Sequence, residues 1–281
     1  MPSPLPMTTL PPAPAWHAPW LIRASLACHA AAAFMLALRP TAWPWLLGAL
    51  ALNHALLAGT GLWPRSTWLG PNIRRLPAAA AARAEIALTF DDGPDPEVTP
   101  AVLEALDSFG AKATFFCIAE RARLHPALCA EIVRRGHSVQ NHSDRHGLGF
   151  ALSGVRGFEH ELGQAQDTLQ RFTGAAPQFF RAPAGLRNPL LGAVLERRAL
   201  RLVSWTRRGF DTVQRRPERV VQRLASGLAA GDILVLHDGN CARTASGQVV
   251  VLAVLPELLQ KLAQQRLCAV TLPQAFGNGA A

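Results

Sequence analysis

The sequence predicts an α/β fold built on a parallel sheet, with an N-terminal membrane hairpin ahead of it. Three observations carry this. From residue 85 onward, short apolar runs alternate with helical stretches. Polar side chains suited to chemistry fall just after those runs. Two long apolar runs without an acidic residue precede them all. Strands alternating with helices imply parallel pairing through right-handed crossovers. Seven repeats suit an incomplete or distorted barrel as well as an open sheet. In either fold, functional residues gather beyond the C-terminal ends of the strands.

The expected strands are IALTF (86–90), ATFFCIA (113–119), HSVQNHS (137–143), FFRAP (179–183), RLVSWT (201–206), DILVLHD (232–238) and CAVTL (268–272). Between most of them lie helical periodicities. TPAVLEALDSFG reads as a helix with a Thr cap, Pro at its first position and a stop at Gly110. HPALCAEIVRRG, GFEHELGQAQDTLQRFTG, PERVVQRLASGLAAG and VVVLAVLPELLQKLAQQR follow the same pattern.

The N-terminal third reads differently. Residues 1–18 form a Pro-rich tail expected to be disordered. WLIRASLACHAAAAFMLAL (20–38) and WPWLLGALALNHALLAGTGLW (43–63) follow. The second run is long enough to span a bilayer, and Trp43, Trp45 and Trp63 stand near its ends, where interfacial aromatics belong. In the first, Arg23 can snorkel at one end. Two spans over 19–64 are the expectation, with a cleaved signal peptide and a pair of buried helices as the competing readings. Asn53 and His54, in mid-span, speak for buried helices, because polar groups are costly in a bilayer.

The formal charge of +9 is unevenly spread. No Asp or Glu precedes Glu85, and Arg23, Arg39, Arg65, Arg74, Arg75 and Arg83 put +6 of the +9 in residues 1–84, leaving +3 for the rest. A nucleic-acid binder would carry its basic stripe on the folded domain, so nucleic acid is not an expected partner. Four of these arginines follow the second apolar run in a basic linker, 65–84. The positive-inside rule then places both termini in the cytoplasm of a bacterial-type inner membrane. The five cysteines form no CxxC and are odd in number, which indicates neither a disulfide framework nor a Cys-based zinc site. Buried free thiols are expected instead.

IALTFDDGP ends an apolar run in two adjacent carboxylates, Asp91 and Asp92, before a Gly-Pro turn. Turn chemistry alone would account for such residues. His142 and His146 follow the third run at i and i+4, which on one helical turn faces both rings the same way. With one Asp on the same rim they offer three metal ligands and leave positions open for water and substrate, a catalytic layout. Such a metal lowers the pKa of water and polarises a carbonyl. The second Asp then suits a general base, Arg181 its partner, His237 a general acid and Asp211 the group that holds His237. The inventory is that of amide or ester hydrolysis.

TFDDGP (89–94), HSDRH (142–146), RAPAG (181–185), WTRRGFD (205–211) and ILVLHD (233–238) resemble, in order and spacing, the five successive motifs of the polysaccharide deacetylases, the NodB-homology group of carbohydrate esterase family 4. The resemblance spans about 85–272 and excludes the hairpin. It implies a distorted (β/α) barrel of about seven parallel strands over 85–275, with a short tail at 276–281. It also implies Asp91 as base, Asp92, His142 and His146 as ligands of one divalent metal, usually zinc, Arg181 as the residue positioning Asp91, and His237 as acid tuned by Asp211. Trp205 and Leu236 would line the acyl pocket. Where the family often has an aromatic in the RxPxG motif this chain has Ala184, whose backbone N–H can still serve an oxyanion while the floor for a sugar is reduced. Arg207 and Arg208 fall on the expected rim, where they would meet a phosphate or water.

The expected activity is removal of an N-acyl group, N-acetyl first, from a carbohydrate, by a membrane-anchored enzyme with its catalytic domain in the cytoplasm. The alternatives are deacylation or deformylation of a lipid-linked aminosugar phosphate, and an inactive barrel that binds glycan. A metalloprotease is disfavoured because HSDRH lacks the Glu of HExxH. Nothing in the sequence points to a protein partner.

Overall fold

The structure, a computed structural model, describes residues 17–277. Residues 1–16 of the Pro-rich tail expected over 1–18, and most of the tail expected over 276–281, lie outside the described residues. Eight strands form one sheet: β1 (Glu85–Asp91), β2 (Ala113–Cys117), β3 (Ser138–Asn141), β4 (Phe179–Phe180), β5 (Arg201–Leu202), β6 (Arg207–Arg208), β7 (Ile233–His237) and β8 (Cys268–Ala269). Their order is β5-β4-β3-β2-β1-β7-β6, with β8 on the first residues of β1, and every pair is parallel. The eleven helices among the described residues are α1 (Trp20–Leu38), α2 (Trp43–Gly61), α3 (Ala78–Ala82), α4 (Val98–Ser108), α5 (Ala119–Leu124), α6 (Pro126–Arg134), α7 (Val155–Thr173), α8 (Leu191–Arg197), α9 (Pro217–Ala225), α10 (Val250–Gln264) and α11 (Leu272–Gly277). This is an incompletely closed (β/α) barrel. The two-residue β6 is the strand that the apolar pattern did not reveal.

Strand alternation divides the core. Ile86, Leu88 and Phe90 of β1 and Leu234 and Leu236 of β7 pack outward with Val102, Leu106, Val254 and Leu258 of the covering helices. Ala87 and Ile233 face inward with Phe116, Phe179 and Val203. Because successive side chains take opposite faces, the inward set continues up the strands through Thr89 and Asp91 on β1 and Val235 and His237 on β7. All of β1 is buried, as suits a strand covered on both faces. Register places Asp91 beside His237.

The stretch 65–84, expected as a linker, packs into this body. Ile73 bridges Val203 in parallel and Arg75 bridges Asp232 in antiparallel, so the chain fills the gap between the β5 edge and β7. Ile73 N–H donates to Leu202 at 2.9 Å and Leu76 N–H to Gly231 at 2.8 Å. Leu69, Leu76 and Ala80 are buried. The apolar residues dispersed among four arginines hid this from a reading by composition.

Helix α4 begins earlier than its sequence implies. Asp95 Oδ1 accepts from the backbone N–H of Glu97 and Val98, at 2.9 and 3.0 Å, so Asp95 rather than Thr99 caps the first turn. The Thr99 hydroxyl instead donates to Asp238 Oδ2 at 2.6 Å. All five cysteines are free, but only Cys117 and Cys129 are buried; Cys268 is exposed.

Helices α1 and α2 pack on each other around a 3-10 turn at Pro40–Ala42. Among the described residues, α1 alone is long and apolar enough to cross a membrane, by length and composition. The expected second span, α2, has 19 residues but carries Asn53 and His54 and falls short of that measure. The requirement for a membrane span is therefore met by α1 alone within this helix pair. Phe34, Leu38, Trp45, Leu47 and Leu52 remain exposed on it.

Asp232 ties the gap-filling segment to the sheet. It is fully buried, 2.8 Å from Arg75 and 2.5 Å from Arg207 Nε. Replacing it with Ala leaves Arg207, whose side chain is 19% exposed, without its counter-charge. The expected cost is about 3 kcal/mol. A lowered midpoint of thermal unfolding in detergent checks it, and an unchanged midpoint would show that the 73–76 segment holds without the pair.

Candidate active site

The C-terminal ends of β1, β3, β4 and β7 converge on a cavity of about 240 Å³ lined by Asp91, Asp92, His142, His146, Ala184, Gly185, Trp205, Arg208, Thr212, Val235, His237 and Asn240. Ten of the twelve positions singled out in the sequence meet here, among them Arg181 and Asp211 just behind the lining. Asp91 is the last residue of β1 and Asp92 begins its turn with φ of 70°. Gly93 follows because nothing larger fits: a Cβ there would run into the Asp238 carboxylate.

Arg181 is fully buried. Its Nη1 donates to Asp91 Oδ1 at 2.6 Å and to the Thr89 hydroxyl at 2.8 Å, Nη2 to the Ser204 carbonyl at 2.9 Å, and Nε to the Val203 carbonyl at 3.3 Å. This fixes one face of the Asp91 carboxylate and leaves the other toward the cavity.

The three candidate metal ligands offer atoms that all lie within 4.8 Å of one another. His142 Nε2 and His146 Nε2 each stand 3.2 Å from Asp92 Oδ1. That oxygen is buried and accepts no hydrogen bond of proper geometry. His142 Nδ1 is 2.8 Å from the Arg181 carbonyl, which accepts its proton and leaves the Nε2 lone pair facing Asp92. An orphaned carboxylate oxygen and an imidazole lone pair aimed at one point fit a divalent cation. Burial and the neighbouring His142 push His146 down, keeping it the neutral form a metal needs. Burial raises Asp92, but the surrounding imidazoles, His142 first and then His146 and His237, outweigh it and hold the carboxylate well below its usual range.

The two imidazoles do not sit on a helical turn. Residues 142–146 form a loop after β3, with Ser143 and His146 at φ of 67° and 54°. The Ser143 hydroxyl accepts the His146 N–H at 3.0 Å and folds the loop back.

His237 Nδ1 meets Asp211 Oδ1 at 2.8 Å, and Asp211 Oδ2 accepts the His237 backbone N–H at 2.8 Å. Burial lowers His237, but the Asp211 charge and hydrogen bond, aided by Asp91 and Asp92, carry it up to about 9. The imidazolium is the form suited to donating a proton.

Two sequence readings are corrected, those of Leu236 and Arg207. Leu236 faces the outer core with Leu234, and Val235 lines the cavity instead; the period-two rule counted back from His237 gives Val235. Arg207 points away, held by Asp232 and the carbonyls of Ser226 and Gly227, while Arg208 lines the cavity. Ala184 lies at the mouth with φ of 53°.

Other residues went unread. Asn240 Nδ2 donates to Asp92 Oδ2 at 3.0 Å, and Arg121 reaches both the Asp92 carbonyl and Asn240 Oδ1 at 2.7 Å. Asp238 lies buried below Gly93; burial pushes its carboxyl up to about 7, against the pull of the Thr99 hydroxyl. Asp238 and Asn240 follow His237 at a strand end, which is the signal that would have found them. His137 is a strand-end structural residue: its Nδ1 accepts the Ala113 N–H at 3.2 Å.

A parallel barrel with carboxylates, imidazoles and an open three-ligand cluster at its strand ends defines a hydrolase architecture. Residues 79–203 match the sequence model of the family described as polysaccharide deacetylase. A Bacillus cereus protein named peptidoglycan-N-acetylglucosamine deacetylase is 33% identical over 195 residues, covering 68% of this chain and 85% of that one. A chitooligosaccharide deacetylase of Azorhizobium caulinodans is 34% identical over 158 residues, 56% of this chain and 75% of that one. Among solved structures, the family 4 carbohydrate esterase of Streptomyces lividans, in complex with acetate, superposes with a TM-score of 0.61 at 30% identity, over 68% of this chain and 94% of that one. A family 4 pseudoenzyme from Bacillus anthracis, at 20% identity and a TM-score of 0.64 over 73% of this chain and 68% of that one, shares the fold alone. The chain belongs to the polysaccharide deacetylase family and is an amide hydrolase of that type.

Asn240 orients Asp92 from behind. Asn240→Ala is expected to weaken divalent-ion affinity about 10- to 100-fold, read by competition with a chromophoric chelator. Affinity equal to wild type would show that the turn backbone alone orients Asp92.

Proposed function

We propose that this protein is a membrane-anchored, metal-dependent N-deacylase of carbohydrate, with N-acetyl as its first acyl group. The observation that carries the reading is the placement of Asp91 and His237 on adjacent strands in register, beside the Asp92, His142 and His146 cluster. Those three residues would hold one divalent ion, zinc by the likeness of the ligand set to catalytic zinc sites. When bound, the ion supplies a lowered pKa for water and polarisation of the amide carbonyl.

Asp91, oriented by Arg181, takes the proton from the attacking water. His237, held by Asp211, protonates the leaving amine. The Ala184 N–H is a donor for the developing oxyanion. Trp205 and Val235 bound the space for the acyl group.

The membrane reading rests on α1, on the exposed apolar side chains of both helices, and on how the hairpin treats its polar groups. Asn53 Nδ2 donates to the Ser25 hydroxyl at 2.9 Å, and His29 Nε2 lies 3.2 Å from His54 Nε2. The mid-span residues thus pair between the helices, as a bilayer requires. On this reading residues 19–64 form two spans of the bacterial inner membrane, and the arginines that follow hold the catalytic domain on the cytoplasmic side. The catalytic pocket lies against the membrane end of the chain, since a Cβ on Gly185 would meet Pro64 at 2.6 Å. A lipid-linked aminosugar is the alternative substrate that this proximity favours.

Asp91→Asn in the zinc-loaded protein is expected to lower acetate release from N-acetylated chito-oligosaccharides at least 100-fold. Acetate release by this variant at the wild-type rate would rule out the base. The alkaline limb of kcat/KM reports the protonated His237, whose pKa Asp211 raises. Asp211→Asn therefore moves that limb toward lower pH, by about 1–3 units; a pH profile checks this, and a limb that stays in place removes His237 as acid. A reporter fused after Ala281 reads membrane side, and periplasmic activity would overturn the cytoplasmic placement.

A further inference from the structure

Among the described residues, one cation of the cavity has no counter-charge. Arg181 is held by Asp91, Thr89 and two carbonyls. Arg121 is held by the Asp92 carbonyl and Asn240, and Arg207 by Asp232 and two carbonyls. Arg208 differs from all three. Among the described residues its side chain makes no hydrogen bond or ion pair, and its Nε is a buried donor without a partner. Its guanidinium carbon stands 5.1 Å from the Trp205 ring and 5.0 Å from the Phe210 ring. It lines the cavity together with Trp205 and the metal-ligand cluster.

Two aromatic faces restrain the plane of a guanidinium and leave its edge free. A planar fork of N–H donors matches a carboxylate or a phosphate bidentately. The other cavity charges do not compete for it, because Asp91 is committed to Arg181 and Asp211 to His237. A divalent ion on the cluster would leave the cavity positive overall. A neutral sugar would leave the Arg208 Nε buried and unpaired, which is a cost.

We propose that Arg208 forms an anion subsite, so that the sugar deacylated here carries a carboxylate or phosphate beside its N-acyl group. The proposal rests on the N-deacylase reading. It makes Arg208 the residue that selects charged over neutral substrates, with Trp205 and Phe210 setting its plane.

The test uses the full-length, zinc-loaded protein in detergent. The probes are neutral N-acetylchitotetraose, an N-acetylmuramyl glycan bearing a lactyl carboxylate, and N-acetylglucosamine 1-phosphate. The readouts are the ratio of kcat/KM for each anionic probe to that for the neutral one, with KM resolved, and calorimetric affinity for the anionic probes in an Asp91→Asn background. The wild type is expected to favour one anionic probe, and which one tells carboxylate from phosphate. Arg208→Gln lowers that ratio about tenfold or more through KM, anion affinity falls in parallel, and Arg208→Lys recovers part of both. Equal ratios in wild type and Arg208→Gln, with unaltered anion affinity, overturn the subsite and leave the deacylase reading standing. Anion binding that depends on Arg208, with no acid released from any probe, overturns the deacylase reading and leaves the subsite. Zinc content equal to wild type shows that each variant is folded; where Arg208→Gln fails that, Arg208→Lys carries the comparison.

Discussion

The buried ion pair of Arg181 with Asp91 is the constraint on which the rest of the site depends. A fully buried guanidinium is tolerable only when each of its donors is met and its charge is opposed. Here every guanidinium nitrogen has a partner and the charge is opposed, and the partners come from two parts of the barrel: Asp91 and Thr89 from β1, the Val203 and Ser204 carbonyls from the chain after β5. The same residue's backbone carbonyl fixes the tautomer of His142. One arginine thereby sets the orientation of the proposed base and the lone-pair direction of a proposed ligand. Neither function can drift without the other.

Around that pair, the sheet does the sorting. Parallel strands with period-two side chains send Thr89, Asp91, Val235 and His237 into the barrel, and Leu88, Phe90, Leu234 and Leu236 out to the helices. The ordering of β2 and β7 on either side of β1 puts the two strand ends that carry Asp91 and His237 next to each other, although 145 positions separate β1 from β7 at the Thr89–Leu234 hydrogen bond. The ion pair of His237 with Asp211 is then a local matter. Asp211 need only reach back across the end of β7.

That much was legible in the sequence, because apolar runs ending in polar residues mark buried strands with functional tips. The acids, the histidines, Arg181 and Asp211 were all reachable in this way. What was not legible depended on backbone path. The HSDRH spacing implied a helical turn, but the chain takes a loop through two left-handed residues to bring the same rings together. Composition made residues 65–84 a linker, whereas a few dispersed apolar side chains and two bridges make them part of the barrel. Thr99 looked like a helix cap because capping is local, but its hydroxyl donates to Asp238, 139 residues away. Leu236 was a failure of another kind, since strand alternation already contained the answer.

The position of Pro64 bears on how the two ends of the molecule are coupled. Gly185 stands at φ of 76°, and a Cβ there would meet Pro64 at 2.6 Å and the Trp205 ring at 2.8 Å, so the chain just past α2 rests on the cavity wall. Arg187 adds to this contact: its N–H donates to the Gly61 carbonyl at 3.2 Å, and its buried guanidinium reaches the Ser66 carbonyl. The hairpin is thus not a tether with a free domain at its end. If α1 and α2 lie in a bilayer, the cavity is carried at a fixed depth beside it, and Trp205 cannot shift without disturbing the exit from α2. A freely diffusing polymer has no need of such a junction, whereas a substrate presented at the membrane surface meets the cavity at a constant height.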